Sequence, residues 1–112
     1  MDLIFGTGGR FGRFNYKKAS SLVELAIDNN IKAFDTAFHY GNNKSQPLLA
    51  KCLKKHLKKN REEFIISTKC FPKSAEYINF CVEESLQAFK TGYLDYFHLW
   101  GAGNNHLENN EI

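Results

Sequence analysis

The chain has 112 residues, 43% hydrophobic and 14% aromatic, which is enough for one ordinary domain with a real core and excludes a disordered segment. Its formal net charge of +3 comes mostly from lysines between Lys51 and Lys59; without interleaved aromatics, glycine-rich arms or a zinc pattern, they predict a solvated helix face and no nucleic-acid partner. No run approaches the ~18 apolar residues of a membrane span, and Cys52, Cys70 and Cys81 fit neither a disulfide framework nor a zinc pair, so a reducing cytoplasm, no membrane partner and no metal are expected.

In chain order, Leu3 to Phe5 reads as a short first strand that runs into the glycine-rich loop Gly6 to Gly12. That loop is not a dinucleotide fingerprint: from Gly6 the G-x-G-x-x-G spacing needs glycine at position 11, which is Phe11. From Lys17 the apolar residues Ala19, Leu22, Val23, Ala26 and Ile27 make one helix stripe. Asn29-Asn30 suits the left-handed turn that ends such a helix. A second strand is expected from Ile31 to Thr36.

Ser45 is expected to cap a second helix, with Pro47 in its first turn, where a missing N–H costs nothing. Leu49, Cys52, Leu53 and Leu57 face inward, lysines fill the outer face, and Lys58 and Lys59 complement the carbonyl end of the helix dipole. Asn60-Arg61 breaks that helix. Phe64 to Thr68 is a β-branched third strand, with Lys69 where it leaves the sheet. After the loop Phe71 to Ser74, a third helix carries Ile78, Cys81, Val82, Ser85, Leu86 and Phe89 on one stripe, with Gly92 expected to end it. Tyr93 to Trp100 is the fourth strand.

Strands alternating with helices, with crossovers long enough for parallel pairing, predict an α/β fold: a parallel (β/α) barrel of TIM type, about half of it present as four strands and three helices. Residues 1–100 form that half barrel, and 101–112 read as a polar loop or tail. An isolated half barrel leaves the edges of its first and fourth strands unpaired, which invites self-association.

In α/β folds chemistry gathers at the carboxyl ends of the strands, and Asp35, Tyr40 and Lys69 all fall there. A phenol gives up its proton reluctantly near neutral pH, and a neighbouring ammonium stabilises the phenolate. Lys69 supplies that ammonium, Asp35 holds it charged and aimed, and Tyr40 then acts as general acid toward a carbonyl oxygen.

The run F-D-T-A-F-H-Y-G-N-N-K-S from Phe34, I-S-T-K at 66–69 and E-S-L-Q-A-F-K-T-G-Y-L-D-Y-F at 84–97 resemble the first half of the aldo-keto reductase family. Phe5-Gly6-Thr7-Gly8-Gly9 is similar to that family's first strand and loop. The resemblance implies a (β/α)8 barrel that binds NAD(P)H, with NADPH preferred, at its carboxyl end and reduces small aldehydes and ketones to alcohols. It makes Tyr40 the proton donor tuned by Lys69 and Asp35, with Asp35 also at the cofactor.

Three departures stand out. Gln46 and Ala50 replace a usual glutamate and glycine. The histidine usual five residues after the fourth strand's aspartate would fall at Trp100, so Trp100 becomes a substrate-pocket candidate; His98 lies on the same face, roughly 6–7 Å deeper. Most of the cofactor contacts belong to the absent half. The chain therefore reads as the N-terminal part of a carbonyl-reducing oxidoreductase, the alternative being a non-catalytic binding or regulatory module of the same family.

Overall fold

The computed structural model describes residues 2–101; the expected tail at 102–112 lies outside the described residues. Four strands, β1 (Ile4–Gly6), β2 (Ala33–Asp35), β3 (Ile65–Cys70) and β4 (Tyr96–Leu99), form one parallel sheet in the order β1-β2-β3-β4. Helices α1 (Tyr16–Asp28), α2 (Ser45–Asn60) and α3 (Ala75–Phe89) are the crossovers, and α2 packs between the other two. The fold class and the three-helix count follow the sequence. No described helix is long and apolar enough to cross a membrane.

Register explains which residues meet. Ile4, Ala33 and Ile65 lie level across three strands, as do Gly6, Asp35, Ser67 and Tyr96, and Lys69 lies level with His98. Because side chains alternate, these residues share the inner, concave face of the sheet. Phe34, Ile66, Thr68 and Cys70 point the other way, fully or almost fully buried, toward Val23, Leu49 and Leu53 of the helices. One polar chain crosses this core: Thr68 donates to Gln46 Oε1 (2.5 Å), Gln46 Nε2 to Ser85 Oγ (3.0 Å), and Ser85 to the Cys81 carbonyl (2.7 Å). The amide at Gln46 can donate and accept at once, so every member of the chain is paired.

β2 and β4 are shorter than expected, although single ladder bonds continue them: Thr36 N–H donates to the Ser67 carbonyl and Trp100 N–H to that of Cys70; β1 is shifted by one residue, and β3 runs on through Lys69 to Cys70. Asn29 and Asn30 do end α1, Asn30 at φ 65°. Two expectations fail. Ser45 does not cap α2; it is already helical, because the left-handed turn at Gly41 to Asn43 leads straight into the helix through Lys44. Gly92 does not end α3 either. Lys90 takes the left-handed conformation two residues earlier (φ 52°), and Thr91 N–H closes the turn on the Leu86 carbonyl (3.3 Å).

Arg61 closes the end of the sheet away from the expected site. Its guanidinium, 12% exposed, bonds Thr91 Oγ1 (2.9 Å), the carbonyls of Phe64 and Tyr93, and Asp95 Oδ2 (2.8 Å), and lies 4.1 Å from the centroid of the Tyr93 ring. The same Asp95 oxygen accepts from Ile66 N–H at 2.7 Å, so the cluster fixes β4 against β3. Truncation strands a half-buried carboxylate and two carbonyls. Arg61→Ala is therefore expected to cost about 2–4 kcal/mol, read as a lower urea midpoint at unchanged slope.

Candidate active site

The carboxyl end of the sheet gathers three of the residues singled out by the sequence. Lys69, last but one in β3, directs its ammonium to the adjacent strand, where Nζ meets Asp35 Oδ2 at 2.8 Å and Oδ1 at 3.1 Å and the Thr36 carbonyl at 2.8 Å. All three ammonium protons are thus spent. Both side chains are largely withdrawn from water, 12% exposed for Lys69 and 29% for Asp35. The pair survives burial because each charge has further partners: Asp35 Oδ1 also accepts from Ser67 Oγ (2.5 Å).

Tyr40 arrives by a loop that continues the ladder past the end of β2. Phe38 N–H donates to the Lys69 carbonyl (2.9 Å), and Tyr40 N–H to that of Ala37 (3.2 Å). Lys69 Nζ then lies 5.0 Å from the centroid of the Tyr40 ring, within cation–π range. The turn after Tyr40 is left-handed from Gly41 through Asn43, with φ of 60°, 59° and 68°. Gly41 packs against Gly12 of the first loop: a Cβ on Gly12 would stand 2.6 Å from Ser45 Oγ and 3.0 Å from the Gly41 Cα. The glycine-rich loop therefore braces the tyrosine turn, and Ser45 fills the crevice between them.

Trp100 joins the same end through a cluster of three mutually packed rings. His39 stacks on Phe71 (centroids 4.3 Å apart, planes 28°) and on Trp100 (4.6 Å, 13°), which lie 5.1 Å from each other, and its edge meets the Tyr40 ring at 5.2 Å. His98 is not part of this stack. Level with Lys69 on β4, it is exposed and parallel to the Tyr96 ring at 6.1 Å. Cys70, the next residue after Lys69, faces the helices, and burial pushes its thiol up to about 12, so it offers no nucleophile to this end of the sheet.

Sequence reasoning missed His39, Ser67 and the Gly12–Gly41 contact. Ser67 had a signal, since it shares the parity of Lys69 in I-S-T-K. The other two depend on loops meeting from distant parts of the chain, which no local pattern encodes.

Both His39 ring nitrogens are buried without a hydrogen-bond partner among the described residues. Burial, and then the charge of Lys69, lower its proton affinity below the ordinary value of 6.5. The folded chain thus binds this proton less readily than the unfolded chain does, so stability is full above the ordinary imidazole range and falls as the pH drops through it. His39→Phe keeps the stack and removes the orphaned nitrogens. It is expected to raise stability by about 1 kcal/mol at neutral pH and to flatten the loss between pH 7 and 5, both read from denaturation midpoints.

This chain matches the aldo/keto reductase family over residues 2–103. It is 34% identical over 97 residues to L-galactose dehydrogenase of Arabidopsis thaliana, covering 81% of this chain and 30% of that protein. Among solved structures it superposes on a putative aldo-keto reductase from Pseudomonas aeruginosa with a TM-score of 0.77 and 28% identity, covering 97% of this chain and 45% of that one. A Klebsiella pneumoniae aldo-keto reductase in complex with NADPH shares the fold with a TM-score of 0.75 at 22% identity, covering 90% and 36%. The chain spans about a third of the length of the curated relatives it matches. With four parallel strands and their crossovers it is about half of a (β/α)8 barrel, and it belongs to the aldo/keto reductase family.

Proposed function

We propose that this chain carries the proton-donating half of an NAD(P)H-dependent oxidoreductase that reduces small aldehydes or ketones to alcohols. The observation that carries the reading is the Asp35–Lys69 pair set 5.0 Å from the centroid of the Tyr40 ring. Tyr40 gives its phenolic proton to the carbonyl oxygen as negative charge gathers there. Lys69, held by Asp35 and by the Thr36 carbonyl, stabilises the phenolate left behind. The ammonium is fixed before reaction, so no reorganisation is needed when charge appears.

When bound, the dinucleotide supplies the hydride to the carbonyl carbon. The residues present fit one end of it. Asp35 accepts one bond from Ser67 and two from Lys69, and a carboxylate has about four acceptor positions. That leaves room for one donor from the cofactor beside Tyr40. The remaining grip, including any preference for NADPH over NADH, belongs to barrel strands beyond this chain.

Trp100 favours a second reading, a non-catalytic module of the same family, because an apolar ring stands where the resemblance calls for a histidine. Turnover separates the two. NADPH oxidation in the presence of benzaldehyde is followed by the loss of cofactor absorbance, with NADPH binding measured in parallel by its fluorescence. Tyr40→Phe is expected to lower the rate about 10²–10⁴-fold and leave binding unchanged; Lys69→Met should lose rate similarly. Turnover unaffected by Tyr40→Phe removes the tyrosine from its role. Binding without turnover in the wild type supports the module.

A further inference from the structure

We infer that the groove between α1 and α2 binds a compact polyphosphate, an anion with several phosphate groups on a short chain, held by Lys51, Lys54, Lys55 and Lys58. The inference is independent of the catalytic reading, since the groove lies on the solvent side of the helices and not at the strand ends. Both of its walls are helices of this chain that pack directly on each other.

Helix α2 carries five lysines and no carboxylate over its 16 residues. Lys51, Lys54, Lys55 and Lys58 fall within about 100° of its circumference and roughly 10 Å of its axis, by the pitch of an α-helix. All four are exposed, and with Tyr16 of α1 and Cys52 they line a groove of about 330 Å³, at the small end of the range for ligand sites. Tyr16 forms the facing wall. Its ring, 45% exposed, lies 4.3 Å from Lys51 Nζ and keeps that ammonium at the groove.

Charge selects the occupant. Lysines three or four apart on one helix repel, and this row holds four such pairs: 51 with 54, 51 with 55, 54 with 58 and 55 with 58. Among the described residues, Glu24 of α1 is the only carboxylate that pairs with the lysines of α2; it lies 3.5 Å from Lys55 and is shared with His56 at 2.8 Å. The helix dipole accounts for Lys58 and Lys59 in the last turn, but not for Lys51, Lys54 and Lys55. The row therefore carries repulsion that one shared carboxylate does not offset, and a multiply charged anion relieves it. Phosphate groups suit lysine, whose ammonium binds them as a point charge, and a short chain of them spans the row. A concave groove closed on one side by a ring takes a compact solute rather than a lipid surface, and the row has no interleaved aromatics on which successive bases would stack.

Isothermal titration calorimetry of the full chain with inorganic tripolyphosphate at low ionic strength tests this. The expected result is saturable one-to-one binding in the micromolar range, weakened about tenfold or more in Lys54→Gln/Lys58→Gln. Lys73→Gln/Lys90→Gln, which removes the same charge around α3, should weaken it about threefold at most. Glutamine keeps the helix propensity of lysine, so far-ultraviolet dichroism should stay unchanged; if the first pair fails to fold, Lys51→Gln/Lys55→Gln, read in the same way, decides. The inference is overturned by an absence of binding, by equal losses in the groove and control variants, or by sulfate binding as tightly at equal charge. Binding to phosphoinositide vesicles without binding to free tripolyphosphate overturns it as well.

Discussion

The bond between Lys69 and Asp35 is the constraint on which the carboxyl end of this sheet depends. It joins adjacent parallel strands, and it forms only because Asp35 lies level with Ser67, two residues before the lysine on the same face. A slip of one residue would turn Lys69 toward Phe34 and Leu53 and leave a charge in the helix-side core. The desolvation of two charges is offset here by three ammonium bonds and by the Ser67 hydroxyl, which is the condition under which a withdrawn ion pair holds. Register and site are therefore one property, because the hydrogen bonds that fix the strands also aim the ammonium.

A second charged cluster does the same at the other end. Arg61 and Asp95 tie β4 to β3 through the Ile66 amide, far from Tyr40. Between the two lies a mostly apolar core, crossed by the Thr68–Gln46–Ser85 chain that ties β3 to α2 and α3. Hydrophobic burial holds the layers together without specifying register sharply, and the two clusters supply the specification.

The elements were legible because their period is local. The stripe of α1, the inward leucines of α2 and the β-branched run of β3 could each be read without knowing what packs against them. Asp35, Tyr40 and Lys69 were legible for a related reason, since a parallel α/β order sends strand ends to one place. What escaped depends on contacts between distant segments. Ser45 was read as a cap because its neighbourhood looks like one, yet its hydroxyl fills a crevice between Gly12 and Gly41. Gly92 was read as a stop, but α3 ends two residues earlier in a left-handed turn at Lys90, a residue with no glycine-like signal, and Arg61, roughly thirty residues away in sequence, holds the Thr91 hydroxyl just beyond it. His39 gave no signal, because its partners Phe71 and Trp100 sit on two other loops.

The division of labour inside the half barrel follows from where these contacts run. Among the described residues, every hydrogen bond that positions Asp35, Lys69 and the Tyr40 turn lies within β1 to β3 and the loops that follow them, with Gly12 as brace. Strand β4 adds only the indole of Trp100, and that ring meets His39 and Phe71 rather than the charged pair. The Asp35–Lys69–Tyr40 cluster, the group proposed to donate the proton, is thus assembled by successive crossovers, whose closure entropy grows only slowly with length. A polar ring at position 100 would have stood against an imidazole whose nitrogens are already sealed, beside an ammonium that opposes further positive charge. An indole avoids that conflict. It leaves one side of the site apolar, with the polar groups of Asp35, Lys69, Ser67 and Tyr40 on the other.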